Sequence, residues 1–338
     1  MAETDTLPFE VGARTGGTGS ETGTLLILDD AQRDRIGELV AGLLQTVTGT
    51  LDSSAWLEAA RAVSVLLPPE LRTALRRFRH DAGTDGVLLI RNLPVGTSLP
   101  PTPTSPDSVE RNPTTAAAAI TTAMLQLGEV IAYRNEKGGA LVQNVVPVPG
   151  REGQQSNAGS VRLEMHSENA FHPNRPDHVG LLCVRDDPTG GARLTTSSVR
   201  RAVPLLPDAT RRVLSEERFM TEPPPSFGGP GGVTPNHALL RGALEDPDLL
   251  VDFAATHPLD ERAAGAMTEL GDALAASTVA HRLRAGDLAV VDNRLAVHGR
   301  TAFTPRYDGT DRWLHRVYTA LDYRRSRPDR EAGQSVLR

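Results

Sequence analysis

From residue 141 onward, short apolar runs alternate with turn-forming residues, and this rhythm limits the fold of the 338-residue chain more than any other feature. The runs fall at 141–148, 161–166, 178–185, 192–197, 288–292 and 315–321. Each has the length of a strand, and the succession is broken by helical patterns at 199–214 and 259–277. The expectation is a β-rich α+β fold with a double-stranded β-helix (jelly-roll) core and N-terminal and inserted helices. Ahead of that core, residues 30–46 place Ile36, Leu39, Val40, Leu43 and Leu44 on one helical stripe, with Asp29 or Asp30 as N-cap. Helices are also predicted at 53–66, at 68–79 with prolines at its start, and at the Ala-rich 114–126. Residues 86–90 read as a short strand, and 94–113, with six prolines, as a long surface loop. Residues 1–24, rich in Gly, Thr and acid, read as a disordered or loosely ordered arm, which leaves 25–338 as one domain.

Within the strand-rich part, His166 and Glu168 stand two residues apart, and His298 follows 132 residues after His166. Two imidazoles and one carboxylate form the donor set that holds Fe(II) while leaving coordination positions open. Residues i and i+2 of a strand project from one face, so a strand through 163–168 presents His166 and Glu168 together and turns Ser167 away. The third donor then comes from a distant strand. A His-x-Glu tripeptide alone occurs often by chance and usually binds nothing, so its weight depends on what surrounds His298.

The stretch His298-Gly299-Arg300-Thr301-Ala302-Phe303, followed by Arg306-Tyr307-Asp308-Gly309-Thr310-Asp311-Arg312-Trp313-Leu314, resembles the clavaminate synthase-like branch of the Fe(II)/2-oxoglutarate-dependent oxygenases. His166-Ser167-Glu168-Asn169-Ala170-Phe171-His172-Pro173 is similar to that branch's first metal motif. The likeness spans residues 85–325 and is nearest to the arginine- and asparagine-type amino-acid 3-hydroxylases of peptide-antibiotic biosynthesis. It implies iron on His166, Glu168 and His298, with 2-oxoglutarate and O2 as co-substrates. It also implies that Arg312 anchors the far carboxylate of 2-oxoglutarate, for which a guanidinium offers a fixed two-pronged fork. Thr195, or its neighbour Thr196, would add a hydroxyl. Arg316 would hold the substrate α-carboxylate, and Glu136, Asn157 and the spare oxygen of Glu168 would complete the amino-acid contacts. Surface readings compete for two of these, since Glu136 lies in a polar turn and Asn157 in a polar loop. Asp252 would read the substrate side chain, and an Asp inside an apolar run is costly unless paired. The arginine enzymes carry a second acid two positions earlier, where this chain has Leu250, so asparagine, glutamine and citrulline stand beside arginine as substrates. The implied reaction is hydroxylation of an unactivated carbon, C3, of a polar L-amino acid, free or carrier-bound. Desaturation or ring closure, and a non-catalytic ligand-binding jelly roll, are the alternatives.

The Pro- and Gly-rich stretch 222–232 suits neither helix nor strand, and a lid over 219–240 is its sharper reading beside a plain surface loop. The 42 acidic and 36 basic side chains form no basic block to suggest nucleic acid or a membrane surface. The lone Cys183, in an apolar run, reads as buried filler in a reducing compartment. With neither a signal-peptide pattern nor a bilayer-length apolar run, the expected location is cytoplasmic.

Overall fold

The computed structural model describes residues 24–228, 234–331 and 334–338, so the arm expected at 1–24 lies outside the described residues apart from Thr24. The N-terminal helices form where the apolar spacing predicts. In α1 (Asp30–Thr46) the Asp29 side chain accepts from the Gln32 N–H at 2.8 Å and the Gln32 side chain accepts from the Asp29 N–H at 3.0 Å, a reciprocal cap. Helix α2 (Ser54–Ser64) is capped by Ser53, and α3 (Pro69–His80) starts on a proline whose missing N–H has no helical partner to lose. Helix α4 (Thr115–Met124) is buried all round, as its alanines allow, and packs between α1 and the larger sheet. Gly180 permits that approach, because a Cβ there would lie 2.5 Å from Met124 Sδ.

The strands are β1 (Thr24–Ile27), β2 (Val87–Arg91), β3 (Val109–Glu110), β4 (Glu129–Tyr133), β5 (Val142–Val145), β6 (Leu163–His166), β7 (His178–Arg185) and β8 (Leu194–Ser198). There follow β9 (Phe219–Thr221), β10 (Leu240–Ala243), β11 (Asp246–Leu249), β12 (Thr256–Pro258), β13 (Val279–His281), β14 (Leu288–Asp292), β15 (Ala296–Arg300), β16 (Trp313–Ala320) and β17 (Val336–Leu337). The larger sheet runs β1-β2-β14-β7-β16-β4-β17, with β5 also paired to β16 and β3 to β5. The smaller runs β13-β8-β15-β6, and β9–β12 and β10–β11 form two small pairs. Alternation along β7 divides the core. Leu182 and Val184 face the helices, whereas Val179, Leu181 and Cys183 join Leu314 and Tyr318 of β16 and meet Leu194 and Ala296 of the smaller sheet. Cys183 is the buried filler the sequence predicts.

Three expectations need correction. The helix expected over 199–214 is split into α5 (Val199–Ala202), a 3-10 turn and α6 (Asp208–Leu214), because Pro204 and Pro207 lack the donors a continuous helix needs. The loop at 94–113 contributes the short strand β3. The strand expected through Glu168 ends at His166, beyond which the Ser167 N–H donates to the Val251 carbonyl at 2.7 Å. Helix α7 (Glu261–Ala276) forms as expected, and among the described residues no helix is long and apolar enough to cross a membrane.

Candidate active site

His298 lies on the inner face of β15 and stands directly opposite His166 of β6, with the ring centroids 4.5 Å apart. The pairing is possible because residue 299 is glycine, since a Cβ there would sit 2.5 Å from the Leu163 carbonyl oxygen. His166 Nδ1 lies 2.9 Å from the Glu164 carbonyl oxygen, so that nitrogen carries the proton and Nε2 is left as a ligand. One atom from each of His166, Glu168 and His298 falls within a 4.8 Å set. Glu168 Oε2, 3.4 Å from His298 Nε2, is buried without a hydrogen-bond partner. An orphaned, buried carboxylate oxygen beside two imidazoles is costly in an empty protein and suited to a divalent ion. Burial pushes the Glu168 carboxyl up, but Arg316 and the imidazoles outweigh it and hold the acid well below its usual range. Burial and His166 lower His298, which keeps it neutral as a ligand must be.

Glu168 is fixed by a residue that the sequence pattern does not flag. Asn293 is fully buried in the turn between β14 and β15. Its Oδ1 accepts from the Glu168 N–H at 2.7 Å, and its Nδ2 donates to the Glu168 carbonyl at 3.0 Å and the Pro176 carbonyl at 2.9 Å. Asn293 thus clamps both faces of the ligand's backbone.

Arg316 of β16 and Arg312, one residue ahead of that strand, are both buried and share a side, as their even spacing predicts. Arg316 donates from Nη1 to Glu168 Oε1 at 2.9 Å and from Nη2 to Glu136 Oε1 and Gln143 Oε1. Burial lowers the Arg316 pKa, but the two carboxylates more than reverse this and lock the charge in place. Glu136 also accepts from the Tyr318 hydroxyl at 3.1 Å, so its carboxylate is turned inward beside Arg316 rather than left to solvent. Gln143 was not legible in the sequence. Arg312 differs from Arg316: among the described residues it makes no hydrogen bond or ion pair, and burial brings its pKa down to about 10. Cys183 and Asp187 partly oppose that shift, but the Asp187 carboxylate is already engaged by Thr189 and the Ala192 N–H.

The β8–β15 register puts the two candidate hydroxyls on opposite faces. Thr196 stands opposite His298 and shares its face, with Oγ1 2.8 Å from His281 Nε2. Thr195 stands opposite Gly299 on the other face, its Oγ1 3.8 Å from Met165 Sδ.

A cleft of about 450 Å3 opens over His166 and Glu168 of the donor triad. Glu136, Asn157, His166, Glu168, Asp252 and Arg316 all line it, so the expected amino-acid contacts converge on one place. Asp252 arrives through a backbone bridge to His166, and its Oδ1 accepts from the Ala254 N–H at 2.9 Å. The Pro-rich segment walls the cleft with Glu222, Pro223, Pro224, Ser226 and Phe227. Phe227 docks edge-on against Phe171 at 4.8 Å and Tyr133 at 6.0 Å. Residues 229–233, inside the expected lid, lie outside the described residues.

The sequence matches the model of the Taurine catabolism dioxygenase TauD, TfdA family over residues 52–318. The chain belongs to the TauD/TfdA dioxygenase family. Among relatives of this dioxygenase is the L-asparagine oxygenase of Streptomyces coelicolor, 50% identical over 311 residues that cover 92% of this chain and 93% of that protein. Clavaminate synthase 2 of Streptomyces clavuligerus is 36% identical over 277 residues, covering 80% and 85%. The solved structure of asparagine oxygenase in complex with Fe(II), 2S,3S-3-hydroxyasparagine and succinate superposes on the dioxygenase with a TM-score of 0.90. It shares 49% identity and covers 93% of this chain and 98% of its own.

Proposed function

We propose that this protein is an Fe(II)- and 2-oxoglutarate-dependent oxygenase that hydroxylates free L-asparagine at C3. The observation that carries the reading is the charge order in the cleft, where Arg316 is flanked by Glu136 and Glu168 beside the metal donors and Asp252 lines the same cleft. An α-amino acid is complementary to that order. Its carboxylate pairs with Arg316, its ammonium with Glu136 and the Oε1 of Glu168, and a side-chain amide N–H donates to Asp252. Where the arginine enzymes carry a second acid two positions before Asp252 this chain has Leu250, which suits a short neutral amide better than a guanidinium calling for two acceptors at that place. The relationship to L-asparagine oxygenase supports the same choice.

His166, Glu168 and His298 would hold the iron, and Arg312 the far carboxylate of 2-oxoglutarate. Iron bound there with 2-oxoglutarate supplies the activation of O2 that oxidises a C–H bond and leaves succinate and CO2. The protein's own part is orientation. Pinning the amino acid at both ends turns one C3–H toward the metal, and Phe227 with its neighbouring prolines, in the described part of the expected lid, excludes water. We read the two facing sheets as a jelly roll within a single domain over 25–338, and the lone buried Cys183 fits a cytoplasmic setting.

The test is incubation with Fe(II), 2-oxoglutarate and O2 across the twenty amino acids plus citrulline and ornithine. Asparagine should gain 16 mass units with equimolar succinate. Turnover of arginine or ornithine in preference to asparagine would overturn the substrate assignment, and absence of succinate with every substrate would overturn the activity.

A further inference from the structure

Arg300 is the residue that the proposed roles leave unexplained. It lies two residues beyond His298 on β15, so it shares the inner face, and it is buried. Its Nη2 donates to the Val161 carbonyl at 3.0 Å and its guanidinium stacks over Phe303 at 5.1 Å, but its Nε is buried with no partner and it makes no ion pair. Its cross-strand partner on β8, Leu194, packs with Cys183 and Leu314 of the larger sheet, and Arg312 stands two residues ahead of Leu314 on that inner side. Two buried guanidinium groups thus stand on the inner sides of the facing sheets, and among the described residues neither has a carboxylate bonded to it. Like charges brought together out of water are strongly unfavourable unless an anion joins them.

We propose that Arg300 is a second cation of the oxo-acid pocket, acting with Arg312 to select a dicarboxylic over a monocarboxylic 2-oxo acid. This rests on the reading of Arg312 as the anchor for 2-oxoglutarate. The far carboxylate of a five-carbon oxo acid, once held by Arg312, lies in the field of Arg300 and neutralises it. Pyruvate chelates a metal through the same keto-acid group but brings no second charge to this place. In the ligand-free protein the pair is therefore a standing cost that the co-substrate relieves.

The test uses the Mn(II)-loaded protein without O2 and titrates 2-oxoglutarate and, separately, pyruvate by calorimetry. The proteins are wild type, Arg300→Met, Arg300→Lys and Arg312→Met, and the ligand-free melting temperature of each is recorded. Arg300→Met should weaken 2-oxoglutarate about tenfold or more while leaving pyruvate unchanged, because only the former loses a charge partner. Arg300→Lys keeps the charge without the stacking fork and should stay within about threefold of wild type for 2-oxoglutarate. The melting temperature of ligand-free Arg300→Met should equal or exceed that of wild type, since a buried unpaired charge has gone. Wild-type affinity for 2-oxoglutarate in Arg300→Met, or equal weakening of both oxo acids with a lowered melting temperature, would make Arg300 a structural bracket for Val161 and Phe303. If Arg312→Met loses 2-oxoglutarate and Arg300→Met does not, only the role of Arg300 falls. If wild type itself fails to bind 2-oxoglutarate, the functional reading falls and this inference with it.

Discussion

Replacing Asn293 with Leu tests whether the grip on Glu168 matters to the metal rather than to the fold alone. The substitution keeps much of the side-chain volume but removes an acceptor from the Glu168 N–H and donors from the Glu168 and Pro176 carbonyls, all within a fully buried turn. Leaving a buried polar group unpaired costs about 1–3 kcal/mol, so three groups set a loss of roughly 3 kcal/mol or more if nothing relaxes. Relaxation is available in one direction: the Glu168 peptide can rotate to find another partner, and its carboxylate then leaves the position opposite His166 and His298. Loss of a residue that orients a ligand typically weakens metal binding by about 10–100-fold. Mn(II) affinity by calorimetry and urea unfolding of the metal-free protein measure the two effects separately. Asn293→Asp should fare no better, because it retains the acceptor for the Glu168 N–H but aims an oxygen at two carbonyls. Wild-type Mn(II) affinity in Asn293→Leu, whatever the change in stability, would refute the claim that this side chain positions the ligand.

Asp252→Ala should lose discrimination between polar and apolar amino acids and form succinate in excess of hydroxylated product; retained preference and tight coupling would make Asp252 structural, since a pocket built to hydrogen-bond a substrate group rejects analogues lacking it. His178 is buried and its pKa is lowered to about 4 by burial, while the unfolded chain takes up that proton near 6.5. Its contribution to stability is therefore present above pH 6.5 and lost as pH falls toward 4, about 3 kcal/mol in all, and urea unfolding across that window should show His178→Gln missing this part of the slope. Burial raises the Cys183 thiol, with Arg312 only partly opposing, so a thiol reagent at pH 8 should leave the folded protein unlabelled and modify it promptly in denaturant; rapid labelling of folded protein would contradict its packing.

The readable parts of the chain are those where local chemistry and tertiary role coincide. Strands β7 and β14 fall at the predicted residues because their apolar runs are bounded by turn signals on both sides. The donor triad is readable because the His-x-Glu spacing and the flanking Gly-Arg motif are local facts, although the strand that carries His166 stops before Glu168. Pro204 and Pro207 carried the signal for breaking the helix at 199–214, and the amphipathic spacing around them masked it. The choice between Thr195 and Thr196 turns on something else. In β8 the residues on both faces are largely buried, so composition does not mark the inward one, and a shift of one residue exchanges every side chain between faces. Asn293 and Gln143 leave no local trace, because their partners lie 125 and 173 residues away and an amide in a turn or strand looks the same whatever it holds.

Strand β16 is paired along its length with β7, while its other edge is shared between β5 and β4. It carries Arg316, with Arg312 held at its entry, on one rigid ruler, and the imidazoles sit on paired strands facing it. Glu136, Asn157, Asp252 and the 222–227 wall instead hang from connecting segments. The catalyst is thus divided into a chassis and an interchangeable fitting. A library that varies only the fitting can explore new amino acids while inheriting the oxidising half intact, and a natural lineage could diversify its repertoire along the same seam without reinventing its chemistry.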